Sequence, residues 1–386
     1  MVKEKIEAAI MLSSFLETIG FYNGIWEFNY NQGANINTID HALVINYMIN
    51  NEYMALGGYA NMNFNKYKSS DDTILMIAII EALIKGHTEN DFINSYVKYF
   101  DKLKEKERYT GNQTIQAITL HKKYLNSKMK TSFLKTYTYD WNMGGNGAAI
   151  RSGPIGILYA NKLDKLIDVS IMSSRLTHNI PMGYLGGFVS ALFASYAFNN
   201  INPCEWINLL IEIIESKKIT EYINKTDIDT IHDNDIDDYF SYWLKYKEQR
   251  YDDIVNFRFK TTFTNGFNRF KDLSSYIPSN FFKLGKKENW SYLGGSGVDS
   301  VIYAYDALLM SMKINNKGQI EKNYQINFDS LIFYGCLHVG DSDSTGAILG
   351  FWYGALVGYN GNEVLKNKVK ELEFYDILSK LSKKLV

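Results

Sequence analysis

The sequence predicts an all-α fold, and three observations carry that reading. Apolar residues recur at helical spacing: Trp206, Leu209, Leu210, Ile213 and Ile214 fall at i, i+3, i+4, i+7 and i+8, and Leu163, Leu166, Ile167 and Ile171 follow the same stripe. Strand-like alternation is scarce although tyrosine and phenylalanine are plentiful. Only 4 prolines interrupt 386 residues. No internal repeat or long linker divides the chain, so residues 1–386 are read as a single compact domain of many helices.

Taken in order, the chain opens with charges at Lys3, Glu4, Lys5 and Glu7, followed by an apolar stretch from Ala8 to Leu16. Glu17 and Gly20 follow without a cleavage pattern, which favours an amphipathic first helix over a signal peptide. Ser69-Ser70-Asp71-Asp72-Thr73 then opens a helix that continues through Ile74, Ile77 and Ala78 to about Ile84. Adjacent residues lie about 100° apart on a helix, so Asp71 and Asp72 face one point only from its first turn. Ser69 or Ser70 caps it.

Gly144-Gly145-Asn146-Gly147 leads into Ala148 to Arg151, a glycine-rich entry to a helix whose backbone N–H groups suit an anion as well as a tight packing turn. Thr177 to Gly187 forms another polar loop before a helix of small residues, and His178 within it is read first as a hydrogen-bonding structural residue. The most polar zone runs from about 217 to 290 and includes Asp233, Asp235, Asp237 and Asp238, a solvated charge run.

Residues 338–358 complete the pattern. Asp341, Asp343, Ser344 and Thr345 precede an apolar run in which Gly346, Gly350, Gly354 and Gly358 recur every fourth residue. That stripe lets another backbone approach closely, and the run is too short for a bilayer, which needs roughly 20 residues. Residues two apart point about 200° away from each other on a helix, so Asp341 and Asp343 converge only at the turn entering it, with Ser344 or Thr345 as cap.

Composition excludes several classes. Hydrophobic residues at 46% with 22% charged describe a globular chain. A net charge of −1 gives no basis for a nucleic-acid or anionic-membrane partner, and no further run of about 18 apolar residues occurs. Cys204 and Cys336 are the 2 cysteines, well separated, which fits a reducing compartment such as the cytoplasm and no thiolate metal site.

Two helix starts carrying four carboxylates, with only Lys68 nearby in sequence, repel unless a cation joins them. Oxygen ligands of this kind select Mg²⁺, Mn²⁺ or Ca²⁺ over zinc, and a binuclear Mg²⁺ or Mn²⁺ centre uses this many carboxylates most naturally.

The same segments, in this order, closely resemble the ADP-ribosylglycohydrolase family from Ala8 to about Gly361. The matching residues are Gly20 to Phe28, Ser70 to Thr73, Gly144 to Arg151, Arg175 to His178, Pro181 to Gly187, Gly295 to Asp299, Ala304 to Ala307 and Gly340 to Thr345. The resemblance is nearest the branch that frees arginine from ADP-ribose. It implies an all-α domain with two Mg²⁺ ions, or Mn²⁺ in their place, in a central cleft, held by Ser70, Asp71, Asp72, Asp341, Asp343 and Ser344. It also implies a diphosphate loop at Gly144, Gly145, Asn146 and Gly147, with His178, Gly295, Ser296, Gly297 and Asp299 as further substrate-binding candidates. Glu27 would lie on a mobile loop over the metals, and Glu27, Asp71 and Asp72 are the candidates for acid–base work.

The implied substrate is an ADP-ribosylated protein or ADP-ribose-arginine. Release from serine, cleavage of an O-acyl-ADP-ribose ester, and binding without turnover are the alternatives. Two positions depart from the family pattern: Leu16-Glu17 stands where Gly-Asp is usual, and Val298 stands where arginine-specific relatives carry histidine. The first predicts altered packing beside the site, and the second bears on the leaving group.

Overall fold

The computed structural model describes residues 2–29, 38–127, 131–137, 143–226, 233–253, 258–260, 266–278, 292–313, 320 and 325–385. Helices dominate, as the periodicities predict. Among the described residues the sheet content is one antiparallel ribbon, β1 (Tyr251–Asp253) with β2 (Arg258–Phe259). Pro154, Pro181 and Pro203 each stand in the first turn of a helix, where a missing N–H costs nothing.

Helix α1 (Val2–Phe21) is the first correction to the sequence reading. From Ile6 to Phe21 every residue but Glu7 is buried, so α1 is a core helix rather than an amphipathic one. The cause is its partners. The helix α9 (Ser342–Val357) lies against it with glycines at the contact, so the two backbones touch, and the helices Asp71–Lys85, Phe328–Cys336 and Tyr375–Ser382 pack on it as well. Gly346 faces the carbonyl of Leu16, Gly350 that of Leu12, and Gly354 that of Ala8. One number rises by a turn as the other falls by a turn, which makes the pair antiparallel. A Cβ on Gly346 would lie 2.8 Å from the Leu16 oxygen, and one on Gly354 2.5 Å from the Ala8 oxygen. Ser13 Oγ donates to the Ala347 carbonyl at 2.9 Å, and Ser342 Oγ to the Gly20 carbonyl at 2.9 Å, which locks the register. Gly358 departs from the stripe. At φ 67° it ends the helix, and a Cβ there would meet nothing within 4 Å.

Around this pair stand α2 (Asp71–Lys85), the short α3 (Gly147–Arg151), α4 (Leu163–Arg175), α5 (Pro181–Phe198), α6 (Trp206–Glu215), α7 (Asp233–Arg250) and α8 (Asp299–Met310). Helices α5 and α8 pack on α9 and are themselves almost wholly buried. In α6 the fully buried stripe is Trp206, Ile207, Leu210 and Ile211, while Leu209, Ile213 and Ile214 are half-buried; the apolar stripe read from sequence is rotated because Ile207 and Ile211 are apolar too. In α7, Asp237 and Asp238 face solvent and Ile236, Tyr239 and Phe240 the core, so the charge run is a solvated face; the Asp233 side chain lies outside the described residues. One hydrophobic cluster extends from Ile6 to Leu385.

The α1–α9 contact predicts an inverted substitution effect. Glycine to alanine inside a helix ordinarily stabilises by about 1 kcal/mol. Gly350→Ala drives a methyl into the Leu12 carbonyl and should instead destabilise by about 1–3 kcal/mol, read as a lower midpoint in urea with unchanged slope. A neutral or stabilising Gly350→Ala would mean that the helices can separate at no cost.

Candidate functional site

The α1–α9 packing carries the start of α9 to the end of α1, and the start of α2 faces the same point. Asp341 is the N-cap of α9 and makes no side-chain cap bond, so the helix begins at Ser342, with Asp343 and Ser344 in its first turn. This differs from the expected cap at Ser344 or Thr345. Thr345 Oγ1 is already bound to the carbonyls of Gly335 at 2.7 Å and Asp341 at 3.1 Å. Ser70 caps α2 as expected and accepts from the Asp72 N–H at 3.3 Å. Across the gap, Ser344 Oγ donates to Asp72 Oδ2 at 3.2 Å.

Glu27 reaches this point from a tight loop after α1. Tyr22, Asn23, Gly24 and Phe28 all have positive φ, at 44°, 56°, 75° and 46°, which folds the segment back on itself. Asn23 Oδ1 accepts from the Lys68 N–H at 2.8 Å, tying the loop to the strand of chain before α2. The Phe28 N–H donates to the Gly340 carbonyl at 3.0 Å, tying it to the α9 entry. Trp26 is buried, stacks on Tyr22 at 4.1 Å and donates to Glu52 at 2.9 Å. The rings face inward, and Glu27 is buried as well, turned to the carboxylates rather than to water.

One oxygen each of Glu27, Asp341 and Asp343 lie within 4.8 Å of one another. Glu27 Oε2 and Asp341 Oδ1 are buried without a hydrogen-bond partner. Asp341 Oδ2 accepts from Asn146 Nδ2 at 2.9 Å, and Asp343 Oδ1 from the Ser344 N–H at 2.8 Å. Burial, then repulsion from Asp343, pushes the carboxyls of Glu27, Asp72 and Asp341 well above the usual range. Burial likewise raises Asp343, and it raises the half-buried Asp71 to about 7.

Glu17 is the residue whose role sequence reasoning missed. It is fully buried behind the α2 start, with Oε1 accepting from the Ser70 N–H and Oε2 from Thr73 Oγ1 at 3.0 Å and Thr18 Oγ1 at 3.2 Å. Burial first, and Asp343 among the charges, lifts it to about 8. At the place of the departure from Gly-Asp, the Glu17 carboxylate reaches the α2 entry and the Leu16 carbonyl seats Gly346. The available signal was an ionisable residue in an otherwise apolar turn.

The glycine-rich loop pairs with the second glycine segment. Gly297 N–H donates to the Gly144 carbonyl at 2.9 Å and Asn146 N–H to the Gly295 carbonyl at 3.2 Å, a bridge centred on Gly145 and Ser296. Asp299 takes the N–H groups of Gly294 at 2.6 Å and Ser296 at 2.9 Å together with the Ser296 hydroxyl, and burial raises it to about 6. Its carboxylate shapes the loop. His178 wedges beneath Gly147, where a Cβ would lie 2.9 Å from its Cε1, and its Nδ1 meets Thr177 Oγ1 at 2.7 Å. Burial and the Arg151 charge keep it neutral, well below the usual histidine range. Val298 is buried at the entry to α8.

The raised carboxyls set a pH prediction. Glu17 and Asp71 titrate near 4 in an unfolded chain and at about 8 and 7 in the fold. The fold favours their protonated forms, so that contribution is complete below about pH 4 and is lost as pH rises through the folded values. Without divalent cations, Tm should fall between about pH 5.5 and 8, and millimolar Mg²⁺ should reverse most of the fall. A flat Tm that ignores Mg²⁺ would contradict the crowding described above.

Comparison with known proteins shows the family and the fold. The model of the family described as ADP-ribosylglycohydrolase matches residues 24–386. The chain is similar to ADP-ribosylhydrolase ARH1 of Dictyostelium discoideum, 34% identical across 99% of this chain and 94% of that one. It is also similar to a putative ADP-ribosyl glycohydrolase of Acanthamoeba polyphaga mimivirus, 31% identical across 95% of this chain and 67% of that one. A solved structure titled an ADP-ribosylglycohydrolase-related protein complex shares the fold at a TM-score of 0.53 and 14% identity, covering 99% of this chain and 98% of that one. With a family model spanning nearly the whole sequence, the chain belongs to the ADP-ribosylglycohydrolase family.

Proposed function

We propose that the chain is a Mg²⁺-dependent hydrolase that cleaves the N-glycosidic bond between ADP-ribose and protein arginine, working as one domain in a reducing compartment. The observation that carries this reading is the buried carboxylate cluster with two unpartnered oxygens beside a glycine loop. The donor set suits a hard divalent cation, because every group offered is a carboxylate or hydroxyl oxygen. Asp341, Asp343, Ser344, Ser70, Asp71 and Asp72 would hold two Mg²⁺ ions, or Mn²⁺. Bound there, the ions supply positive charge and a template for the ribose hydroxyls.

The remaining work falls to the chain's own groups. The ladder between Gly144–Gly147 and Gly294–Gly297 consumes the Asn146 and Gly297 N–H groups and leaves those of Gly145, Gly147 and Ala148 outside it. These N–H groups would take the diphosphate, at a loop where a side chain at Gly147 would strike His178. Cleavage through an oxocarbenium-like transition state needs one group to protonate the leaving atom and one to activate water. Glu27, whose buried Oε2 has no hydrogen-bond partner, and Asp71, which is reached by solvent, are the two leading candidates to hold and move those protons. Asp72 is tied by Ser344 and remains a third candidate.

A second reading, release from serine, draws on Val298, which stands where arginine-specific relatives carry histidine. ADP-ribosylated arginine and serine peptides, each incubated with and without Mg²⁺, separate the two. The proposal expects Mg²⁺-dependent release from the arginine peptide; release from serine alone transfers the assignment, and release from neither leaves a binding protein. Within the active reading, Glu27→Gln should lower kcat and kcat/KM alike by about 10²–10⁴-fold while ADP-ribose still binds. Near-normal kcat in Glu27→Gln would remove it from the chemistry.

A further inference from the structure

Arg175 closes α4 and is only 7% exposed. Its guanidinium makes one hydrogen bond, from Nε to Asn179 Oδ1 at 2.9 Å, and among the described residues it forms no ion pair. The C-terminal end of α4 favours a cation there. That partial charge is spread over the last turn and, among the described residues, leaves the two Nη groups without a hydrogen-bond acceptor.

Arg175 lines a cavity of about 160 Å³ on the side of the molecule formed by α4, the 218–225 helix and the 132–135 turn. Lys135 borders the same cavity, is exposed, and is likewise in no ion pair among the described residues. The hydroxyls around them are already committed as donors. Ser132 Oγ donates to Glu89 at 2.6 Å, Tyr222 OH to Asp168 Oδ1 at 3.0 Å, and Thr226 Oγ1 to the Ile223 carbonyl at 3.0 Å. Glu89, the carboxylate that acts electrostatically on Arg175, is occupied by Ser132 and by the Phe133 N–H at 2.5 Å. The cationic residues in the lining, Arg175 and Lys135, are the ones with donors to spare among the described residues.

A buried guanidinium and a second cation lining one small cavity favour an anion within it. A guanidinium fork offers two parallel N–H groups to a carboxylate or phosphate, and a second cation favours a dianion over a monoanion. The volume is below the roughly 300–1,000 Å³ of pockets that enclose whole small-molecule ligands. We propose that Arg175 and Lys135 form a phosphate site, distinct from the carboxylate cleft, that takes inorganic phosphate or a terminal phosphomonoester whose remainder stays in solvent.

Calorimetric titration of inorganic phosphate into the full chain, at constant ionic strength in chloride and without divalent cations, tests this. Phosphate bound elsewhere, including at the glycine loop, is insensitive to Lys135, so comparison with Lys135→Glu isolates the pocket. The expected result is a binding component in the wild type that Lys135→Glu weakens at least tenfold and Arg175→Gln abolishes. Lys135 is exposed, so the Lys135→Glu arm decides even where Arg175→Gln does not fold. A parallel titration with adenosine 5′-monophosphate names the source: matching behaviour assigns a phosphomonoester, and binding of inorganic phosphate alone assigns the free ion. No phosphate binding by the wild type, or equal affinity in wild type and Lys135→Glu, overturns the site.

Discussion

The contact between the backbones of α1 and α9 decides where the chemistry sits. Gly346, Gly350 and Gly354 remove the side chains that would hold the helices apart, and the carbonyls of Leu16, Leu12 and Ala8 occupy the space. Because the pair is antiparallel, the end of α1 meets the beginning of α9. That end supplies Glu17 behind the α2 start and hands the chain to the loop carrying Glu27. The beginning of α9 supplies Asp341, Asp343 and Ser344. A single helix–helix contact therefore gathers acids that are more than 300 residues apart in sequence.

Gathering them is unfavourable by a margin that ordinary helix effects do not cover. Two charges about 5 Å apart, close to the 4.8 Å limit that contains Glu27, Asp341 and Asp343, repel by about 3 kcal/mol at an effective dielectric near 20. A helix N-terminus returns about 0.3–1 kcal/mol per acid. Asn146 and Ser344 each satisfy one oxygen, and Glu27 Oε2 and Asp341 Oδ1 remain with none. Proton uptake relieves part of this repulsion, which is the direction in which all these carboxyls are pushed. A divalent cation relieves it without neutralising the acids, and so leaves them ionised for binding and proton transfer.

Much of this was legible in the sequence, for local reasons. Ser70-Asp71-Asp72 reads as a capped helix start because capping is a property of a few adjacent residues. The glycine spacing in α9 announces close backbone approach because one side chain per turn decides it. What escaped depends on partners that the sequence does not name. The all-round burial of α1 follows from α9 and the helices Asp71–Lys85, Phe328–Cys336 and Tyr375–Ser382 packing on it. The rotation of the buried stripe in α6 follows from which of two apolar faces meets the core. Asp341 rather than Ser344 stands at the N-cap because Thr345 is drawn to the Gly335 carbonyl, a contact across a turn. Asp299 and His178 are substrate-binding candidates by resemblance, and the contacts that hold them, Asp299 with Gly294 and Ser296 and His178 Nδ1 with Thr177, are not announced by their spacing. Glu17 looked like a disruption and is a hydrogen-bonded support of the α2 entry.

The central claim is that the clustered carboxylates are a cation site, and manganese tests it most directly. Electron paramagnetic resonance of Mn²⁺ titrated into the full chain reports bound ion without requiring turnover. The account predicts saturable binding that Mg²⁺ displaces and that Asp343→Asn weakens severely, since Asp343 is the charge repelling Glu27, Asp72 and Asp341. Wild-type Mn²⁺ affinity in a folded Asp343→Asn protein, or no saturable binding in the wild type, would contradict it.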